Sequence, residues 1–151
     1  MAQPLLTGSE LAALVDRVFS RQPQERALAI LIDLPDEGWP DHPTWRTRRE
    51  MAADWRDALA AEVGFGVEVH LYQYRNVGAN NADLPATAWA CPPGERPANR
   101  ADELLGRPEI AFATIFESHP LIFAPTELST TAPLKLQAPK YGFRAATLPG
   151  F

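Results

Sequence analysis

Glu117 and His119 are two positions apart in the stretch FESHP, a spacing that could bring a carboxylate and an imidazole together. Such a pair could exchange protons with a bound molecule or supply two ligands to a metal ion. A metal site normally needs three or four ligands, and no second histidine lies nearby in the sequence. His42 and His70 could join only through tertiary contacts, and we interpret His70 as an ordinary strand residue.

A second group of polar side chains lies in the stretch GANNAD, which contains Asn80, Asn81 and Asp83. Amide and carboxylate groups of this kind can orient a carboxylate, an amide or a hydroxyl of a ligand. The same residue types also form loops by bonding to their own backbone, and turn chemistry favours that structural role. Asp33 and Asp36 flank Pro35, where aspartate commonly caps a turn. Both interpretations of these residues stay open from the sequence.

The single cysteine, Cys91, lies in a proline-rich stretch without a neighbouring histidine, which argues against a reactive nucleophile. A lone cysteine also excludes an internal disulfide framework and a cysteine-based zinc site. No glycine-rich dinucleotide motif follows the first apolar run, where DLPDEGWP stands instead. The chain contains no phosphate-binding Gly-Lys-Ser/Thr loop, no Gly-x-Ser-x-Gly elbow and no His-Glu-x-x-His helix. Familiar enzyme signatures therefore assign no activity.

Hydrophobic spacing predicts the elements that position these residues in the first half of the chain. One helical stripe consists of Leu11, Leu14, Val15, Val18 and Phe19. The uninterrupted apolar run at 27–32 predicts a strand that is covered on both faces. A helix is predicted from Pro43 to the glycines at 64 and 66, followed by an alternating strand that begins at Val67.

The second half of the chain begins with an irregular, proline-rich stretch at 75–100, a length that usually carries function or covers an interface. A short helix at 101–106 then precedes an apolar run at 109–116, which we interpret as the third strand. A helix that begins near Pro133 should end or kink at Pro139. The segment 143–148 is predicted to be the fourth strand.

This alternation of helices and strands predicts an α/β fold in a single domain spanning 1–151. The expected architecture is a Rossmann-like or flavodoxin-like three-layer sandwich with a mostly parallel sheet of about four strands. Ligands bind such sheets beyond the carboxyl ends of the strands. Polar residues after each predicted strand, including Asp33, Asn80 and His119, are therefore expected to converge on one edge.

The charge of the chain limits its partners. The formal net charge is −5, and no block of Lys or Arg could neutralise a row of phosphates, which argues against nucleic acid and an anionic membrane surface. The first ten residues lack the basic start of a secretory signal, and no apolar run approaches the ~20 residues of a membrane span. We therefore expect a cytoplasmic protein.

The carboxyl-terminal segment IFAPTELSTTAPLKLQAPKYGFRAATLPGF resembles the thermophilic-type leucyl aminopeptidase family of metallopeptidases and its iron-dependent dihydroxypyridine dioxygenase relatives. The likeness lies in the helix entry PTELSTTAPL and in the strand and turn GFRAATLPGF, and it covers about thirty residues well. In that family such a segment belongs to an amino-terminal α/β domain. The resemblance implies a hydrolase that uses a divalent metal, whose Glu, His and Asp ligands come from a following carboxyl-terminal domain. No position of this chain matches that metal motif.

Three functional hypotheses follow. The chain is the amino-terminal domain, or a fragment, of a metal-dependent aminopeptidase-like enzyme, where it shapes a cleft for a small-molecule or peptide substrate and contributes oligomer contacts. Alternatively, it is a self-contained module that binds a small carboxylate or amide ligand through Asn80, Asn81, Asp83 and Glu117. A third hypothesis is a structural subunit that docks a partner through the 75–100 loop. Hydrolysis by this chain alone, which would need His42, His70 and His119 to assemble, is the least supported.

Overall fold

The computed structural model describes residues 6–150 of the chain. The first part contains α1 (Gly8–Phe19), β1 (Ala27–Leu34), α2 (Pro43–Ala61), β2 (Glu68–Arg75) and β3 (Thr87–Cys91). After a 3₁₀ helix at Ala101–Leu104 come β4 (Ile110–Ala111), α3 (Phe112–Ser118), β5 (Leu121–Ala124), α4 (Thr131–Tyr141) and β6 (Arg144–Thr147). The prediction about a leader concerned residues 1–10, of which the first five lie outside the described residues.

The strands form one mixed sheet in the order β4-β3-β2-β1-β5-β6. Neighbouring strands in the run β2-β1-β5-β6 are parallel, whereas β3 is antiparallel to β2 and to β4. The predicted α/β class and the mostly parallel sheet are confirmed. The sheet has six strands rather than about four, because the irregular stretch at 75–100 contributes β3 and the two-residue β4 lies beside it.

Helices cover both faces of the sheet. Leu28, Ile30 and Ile32 of β1 pack with residues of α1 and α2, whereas Ala29 and Leu31 pack on the opposite face with residues of α3 and α4. Each of these five β1 side chains is at most 1% exposed. The uninterrupted apolar run in β1 is therefore explained by burial on both faces, as predicted.

Local signals fix the helix ends. Thr7 and Glu10 form a capping box at the start of α1, and the His42 side chain caps α2, whose first residue is Pro43. The α4 helix ends at Gly142, which adopts a left-handed conformation with φ of 80°. Pro139 does not end this helix, which continues for two further residues to Tyr141.

The predicted third strand at 109–116 is wrong. Only Ile110–Ala111 is extended, and Phe112–Ser118 forms α3, in which Phe112, Ile115 and Phe116 are buried. The third parallel strand is instead β5, a four-residue segment between Pro120 and Pro125. Within residues 6–150, no helix combines the length and the apolar character needed to cross a bilayer.

Candidate functional site

The carboxyl ends of β1 and β5 form the point at which the strand order of the parallel sheet reverses. From β1 the chain passes through α2 to β2 on one side, and from β5 it passes through α4 to β6 on the other. The α2 and α4 helices lie on opposite faces of the sheet. Open α/β sheets bind ligands in the crevice that such a reversal creates. The loops after β1 and β5 therefore form the candidate ligand-binding crevice.

Asp33 joins these two strand ends. Its carboxylate accepts hydrogen bonds from the backbone N–H groups of Glu127 at 2.8 Å and Leu128 at 3.0 Å. Its own backbone C=O accepts a bond from the indole Nε1 of Trp45 at 3.0 Å. Burial raises the pKa of Asp33, although the two backbone donors act in the opposite direction. Asp33 is 1% exposed, so it organises the crevice from beneath rather than facing solvent.

Glu127 lies at the mouth of the crevice between two basic side chains. Its Oε1 accepts a hydrogen bond from Nε2 of His42 at 2.9 Å, and its Oε2 accepts one from Nη1 of Arg48. The Arg48 side chain is 2% exposed, whereas that of Glu127 is 21% and that of His42 is 44% exposed. Glu127 and His42 are therefore within reach of a bound molecule, and Arg48 supports them from below.

The hydrogen bonds from Arg48 and His42 define the ionisation of Glu127. Burial raises the pKa of Glu127, but the bonds from Arg48 and His42 outweigh it and hold that pKa below its ordinary value. Nδ1 of His42 accepts a bond from the backbone N–H of Trp45 at 3.3 Å, so the proton of the neutral ring is on Nε2. Glu127 is consequently an ionised acceptor at neutral pH. It suits a ligand that presents an ammonium or an N–H group.

Asn80 and Asn81 fasten the loop after β2 to the entrance of α4. The Asn80 Oδ1 accepts from the backbone N–H of Ser129 at 2.8 Å, and the Asn81 Oδ1 accepts from that of Ala132 at 3.0 Å. Asn81 adopts a left-handed conformation, with φ of 62°, that asparagine tolerates better than most residues. These bonds are structural, but they reach a distant segment of the chain rather than the local backbone that turn chemistry predicted. Asp83 is exposed on the same loop, and a part for any of the three in ligand binding stays a prediction.

Two hydroxyl groups at this edge lack a hydrogen-bond partner within the described residues. They are Oη of Tyr74, near the end of β2, and Oγ1 of Thr130, at the start of α4. Both side chains are about 1% exposed. Buried polar groups are normally paired, so these hydroxyls mark positions where a water molecule or a ligand group would restore a missing bond.

Glu117 and His119 do not lie with these residues. Both precede β5, at the end of α3, and so stand at the amino edge of the parallel strands. The expected convergence of all candidates on one edge is therefore wrong, because it depended on the misplaced third strand. Glu117 is exposed, whereas His119 is 3% exposed and bonds through Nε2 to Nδ1 of His70 at 2.8 Å.

The hydrogen bonds around His119 define its proton position. Its Nδ1 donates to the backbone C=O of Ile115 at 2.8 Å, so Nδ1 of His70 must donate to Nε2 of His119. Burial lowers the pKa of His119, and the neighbouring His70 lowers it further. The pair packs α3 against β2, and His70 takes part in a buried contact that its sequence position did not indicate.

Cys91 is 2% exposed, and its sulfur lies 3.3 Å from Nη1 of Arg56. Burial raises the pKa of the thiol, while Arg56 acts in the opposite direction. Arg56 is fully buried, and its Nη1 and Nη2 also donate to the backbone C=O groups of Cys91 and Glu95. This contact anchors β3 and the following loop to α2, which is a structural role.

The residues of the described chain do not fit the divalent metal that the family resemblance implies. No group of three or more His, Cys, Asp or Glu side chains within residues 6–150 is arranged to hold a metal ion. His42 and Glu127 come closest at the carboxyl edge, but the Arg48 guanidinium already occupies the second carboxylate oxygen. Two ligands fall short of the three or four that a metal site normally needs.

Comparison of the chain with protein-family models, with curated proteins and with solved structures finds no match. The geometry of the site is therefore the basis for assigning a function. Sequence reasoning missed Glu127 and Arg48, whose partnership spans 79 positions of the chain. The available signal was the position of Glu127 within PTELSTTAPL, in the loop before the helix predicted to begin near Pro133.

Proposed function

We propose that the chain is an α/β domain whose carboxyl edge forms one wall of a substrate cleft, as in the amino-terminal domain of a metal-dependent aminopeptidase-like enzyme. The observation that carries the proposal is the ionised, partly exposed Glu127 carboxylate at the point of strand reversal. Glu127 would accept hydrogen bonds from the free amino group of a peptide or a small amine-bearing substrate. His42 and Arg48 would position Glu127.

Two further observations support this assignment. The segment that resembles the aminopeptidase family contains β5, α4 and β6, and so provides Glu127 and the whole wall of the crevice on the α4 side. The unpartnered hydroxyls of Tyr74 and Thr130 lie at the same edge, where polar atoms of a ligand or an ordered water could pair with them. Metal ligands, in this proposal, belong to a further domain or a partner subunit.

Ligand binding by the purified chain tests the proposal. Isothermal titration with a panel of dipeptides that have free amino termini should give saturable binding, and N-acetylation of the same dipeptides should weaken it. Glu127→Gln should weaken binding by about tenfold or more, because the ligand amine loses a charged acceptor. Glu117→Gln removes the same charge at the opposite edge of the sheet and serves as the matched control.

Equal affinities for free and acetylated dipeptides, or equal losses in Glu127→Gln and Glu117→Gln, would refute a role for Glu127 as the amine acceptor. Circular dichroism of both variants establishes that the fold is retained. The second hypothesis, a self-contained carboxylate or amide module, predicts binding of N-acetylated or non-amine ligands that Asn80→Ala weakens. Light scattering tests the proposed oligomer contacts, since a monomer has a mass of 16.6 kDa.

A further inference from the structure

The β6 strand forms an open edge of the sheet. In the described chain it pairs only with β5, through bonds such as the N–H of Arg144 to the C=O of Pro120 at 2.8 Å and the N–H of Leu148 to the C=O of Ala124 at 3.1 Å. In a parallel ladder, alternate residues direct both backbone groups to the same neighbour. Ala145 and Thr147 therefore direct their N–H and C=O groups away from β5, toward the edge.

A groove runs beside this edge, between α4 and β6. It is a hollow of about 510 Å³ that is open to solvent. Its lining includes the apolar side chains of Leu134, Ala138 and Phe143, and Ala145 contributes from β6. Lys135 and the hydroxyl-bearing Thr131 border the hollow. An open strand edge beside an apolar groove is the arrangement by which proteins bind an extended peptide as an added strand.

The charge of this region differs from that of the rest of the chain. Residues 128–151 contain no Asp or Glu, although the whole chain has a net charge of −5. The same segment holds Arg144 and both lysines of the sequence, Lys135 and Lys140. Lys135 is exposed beside the groove, and Arg144 bonds to Glu25 on the α1 face of β6. Because Glu25 already pairs with Arg144, the positive charge offered beside the groove is that of Lys135, and it favours acidic side chains in a partner.

We propose that β6 and the groove beside α4 bind an extended, acidic peptide segment of a partner protein by strand addition. The peptide backbone pairs with the outward groups of Ala145 and Thr147. Side chains of an added strand alternate between the two faces of the sheet. Side chains on the α4 face therefore meet the apolar groove and Lys135 at its rim, whereas side chains on the other face lie beside the ion pair of Arg144 with Glu25.

Fluorescence anisotropy with a labelled hexapeptide of alternating glutamate and valine tests this surface directly. The peptide should bind at concentrations below about 1 mM, the upper limit for weak specific association. The same peptide with lysine in place of glutamate should bind at least about fivefold more weakly, because its charge then opposes that of the surface. A version with N-methylated backbone should also lose binding, since it cannot donate to the outward carbonyl groups.

Two variants place the binding on this edge. Ala145→Pro removes an outward N–H without touching the bonds to β5, a position where edge strands tolerate proline. Lys135→Glu reverses an exposed charge beside the groove, and Arg107→Glu makes the same change near the opposite edge of the sheet. Ala145→Pro and Lys135→Glu should each weaken binding by about fivefold or more, and Arg107→Glu should leave it unchanged.

Each alternative outcome overturns the proposal. Absence of binding up to about 1 mM, or equal binding of the N-methylated peptide, would exclude strand addition. Binding that resists both Ala145→Pro and Lys135→Glu would place the peptide elsewhere. A dimer in light scattering that Ala145→Pro dissociates would assign the edge to a second copy of the chain. Amide shifts of Ala145 and Thr147 in NMR spectra supply a readout that remains valid if one variant fails to fold.

Discussion

Asp33 accepts a hydrogen bond from the backbone N–H of Glu127 across 94 positions of the sequence, and this bond ties the carboxyl ends of β1 and β5 together. A second bond reaches the other carboxylate oxygen from the N–H of Leu128. The arrangement places a side chain of the protein where two successive N–H groups could otherwise receive an anion. Asp33 thereby sets the conformation of the loop that presents Glu127.

Asp33→Asn should lower the free energy of unfolding by about 1–3 kcal/mol, because the amide can accept at only one of its two positions and leaves a buried N–H unpaired. Urea denaturation measures the change. Asp36→Asn is the control, since Asp36 lies in the same turn and its bond to Arg75 joins two partly exposed side chains. An equal effect of the two substitutions would contradict the role assigned to Asp33.

Substitution can separate the roles of the two ring nitrogens of His42, of which Nδ1 caps α2 and Nε2 bonds to Glu127. His42→Ala removes both the cap of α2 and the bond to Glu127, and it should cost about 1 kcal/mol or more in unfolding free energy. His42→Asn retains a good capping residue and should recover most of that stability. If the asparagine variant is as unstable as the alanine variant, capping is not the main structural contribution of His42.

His119 makes stability depend on pH in a defined window. Its pKa in the folded chain lies below the ordinary value of 6.5, so the unfolded chain takes up a proton first as the pH falls. Stability should be full above about pH 6.5 and fall toward the lower folded pKa, with a slope of at most about 1.4 kcal/mol per pH unit for one proton.

Urea denaturation between about pH 5 and 7 measures this slope, and His119→Gln should reduce it. The carboxylates with lowered pKa, such as Glu127 and Asp41, lose their contribution only at lower pH, because their unfolded values are 4.5 and 3.8. A slope that survives in His119→Gln would assign the effect to another group.

Arg56 and Arg96 both join α2 to the segment after β3, but only Arg56 is buried. Arg56→Lys should destabilise the chain by about 3 kcal/mol, because a lysine cannot reproduce the guanidinium bonds to Cys91 and Glu95 and leaves buried carbonyl groups unpaired. Arg96→Lys affects an ion pair with Asp54 that is about half exposed, and it should change stability by less than about 0.5 kcal/mol. Comparable losses in the two variants would show that burial does not distinguish them.

Gly8 permits the close approach of α1 to α2. A Cβ atom at this position would lie 2.7 Å from the backbone oxygen of Ala58, so Gly8→Ala should cost about 1–3 kcal/mol despite the better helix propensity of alanine. Gly38→Ala meets nothing nearer than 3.6 Å and should be neutral or slightly stabilising. Thermal unfolding of the two variants compares them, and a stable Gly8→Ala protein would mean that the helices can separate without penalty.

Elements with strong local signals were predictable from the sequence. The α1 helix, the apolar run of β1 and the proline-initiated α2 each carry their signal within a few residues, although Val18 of the predicted α1 stripe is 56% exposed. The segment 109–116 was predicted to be a strand because a continuous apolar run is typical of a buried strand. Phe112, Ile115 and Phe116 also fit helical spacing, and the segment 112–118 forms a helix. The β5 strand was hidden because prolines at both ends leave only four residues to signal it.

The candidate site was less predictable, since its partners meet only after folding. Asn80 and Asn81 were found through loop composition, and they do reach the carboxyl edge. Glu127, His42 and Arg48 come from three separate segments, and no spacing rule relates them. The same limit applies to His70 and His119, whose contact depends on where α3 ends relative to β2.

The two outer strands of the sheet are unequal, and this inequality restricts polymerisation. The β4 edge is two residues long, whereas β6 is a four-residue strand with outward backbone groups. The two-residue β4 edge offers almost no backbone groups with which another chain could pair. Pairing of β6 in one copy of the chain with β4 in the next is therefore disfavoured, which works against head-to-tail fibres.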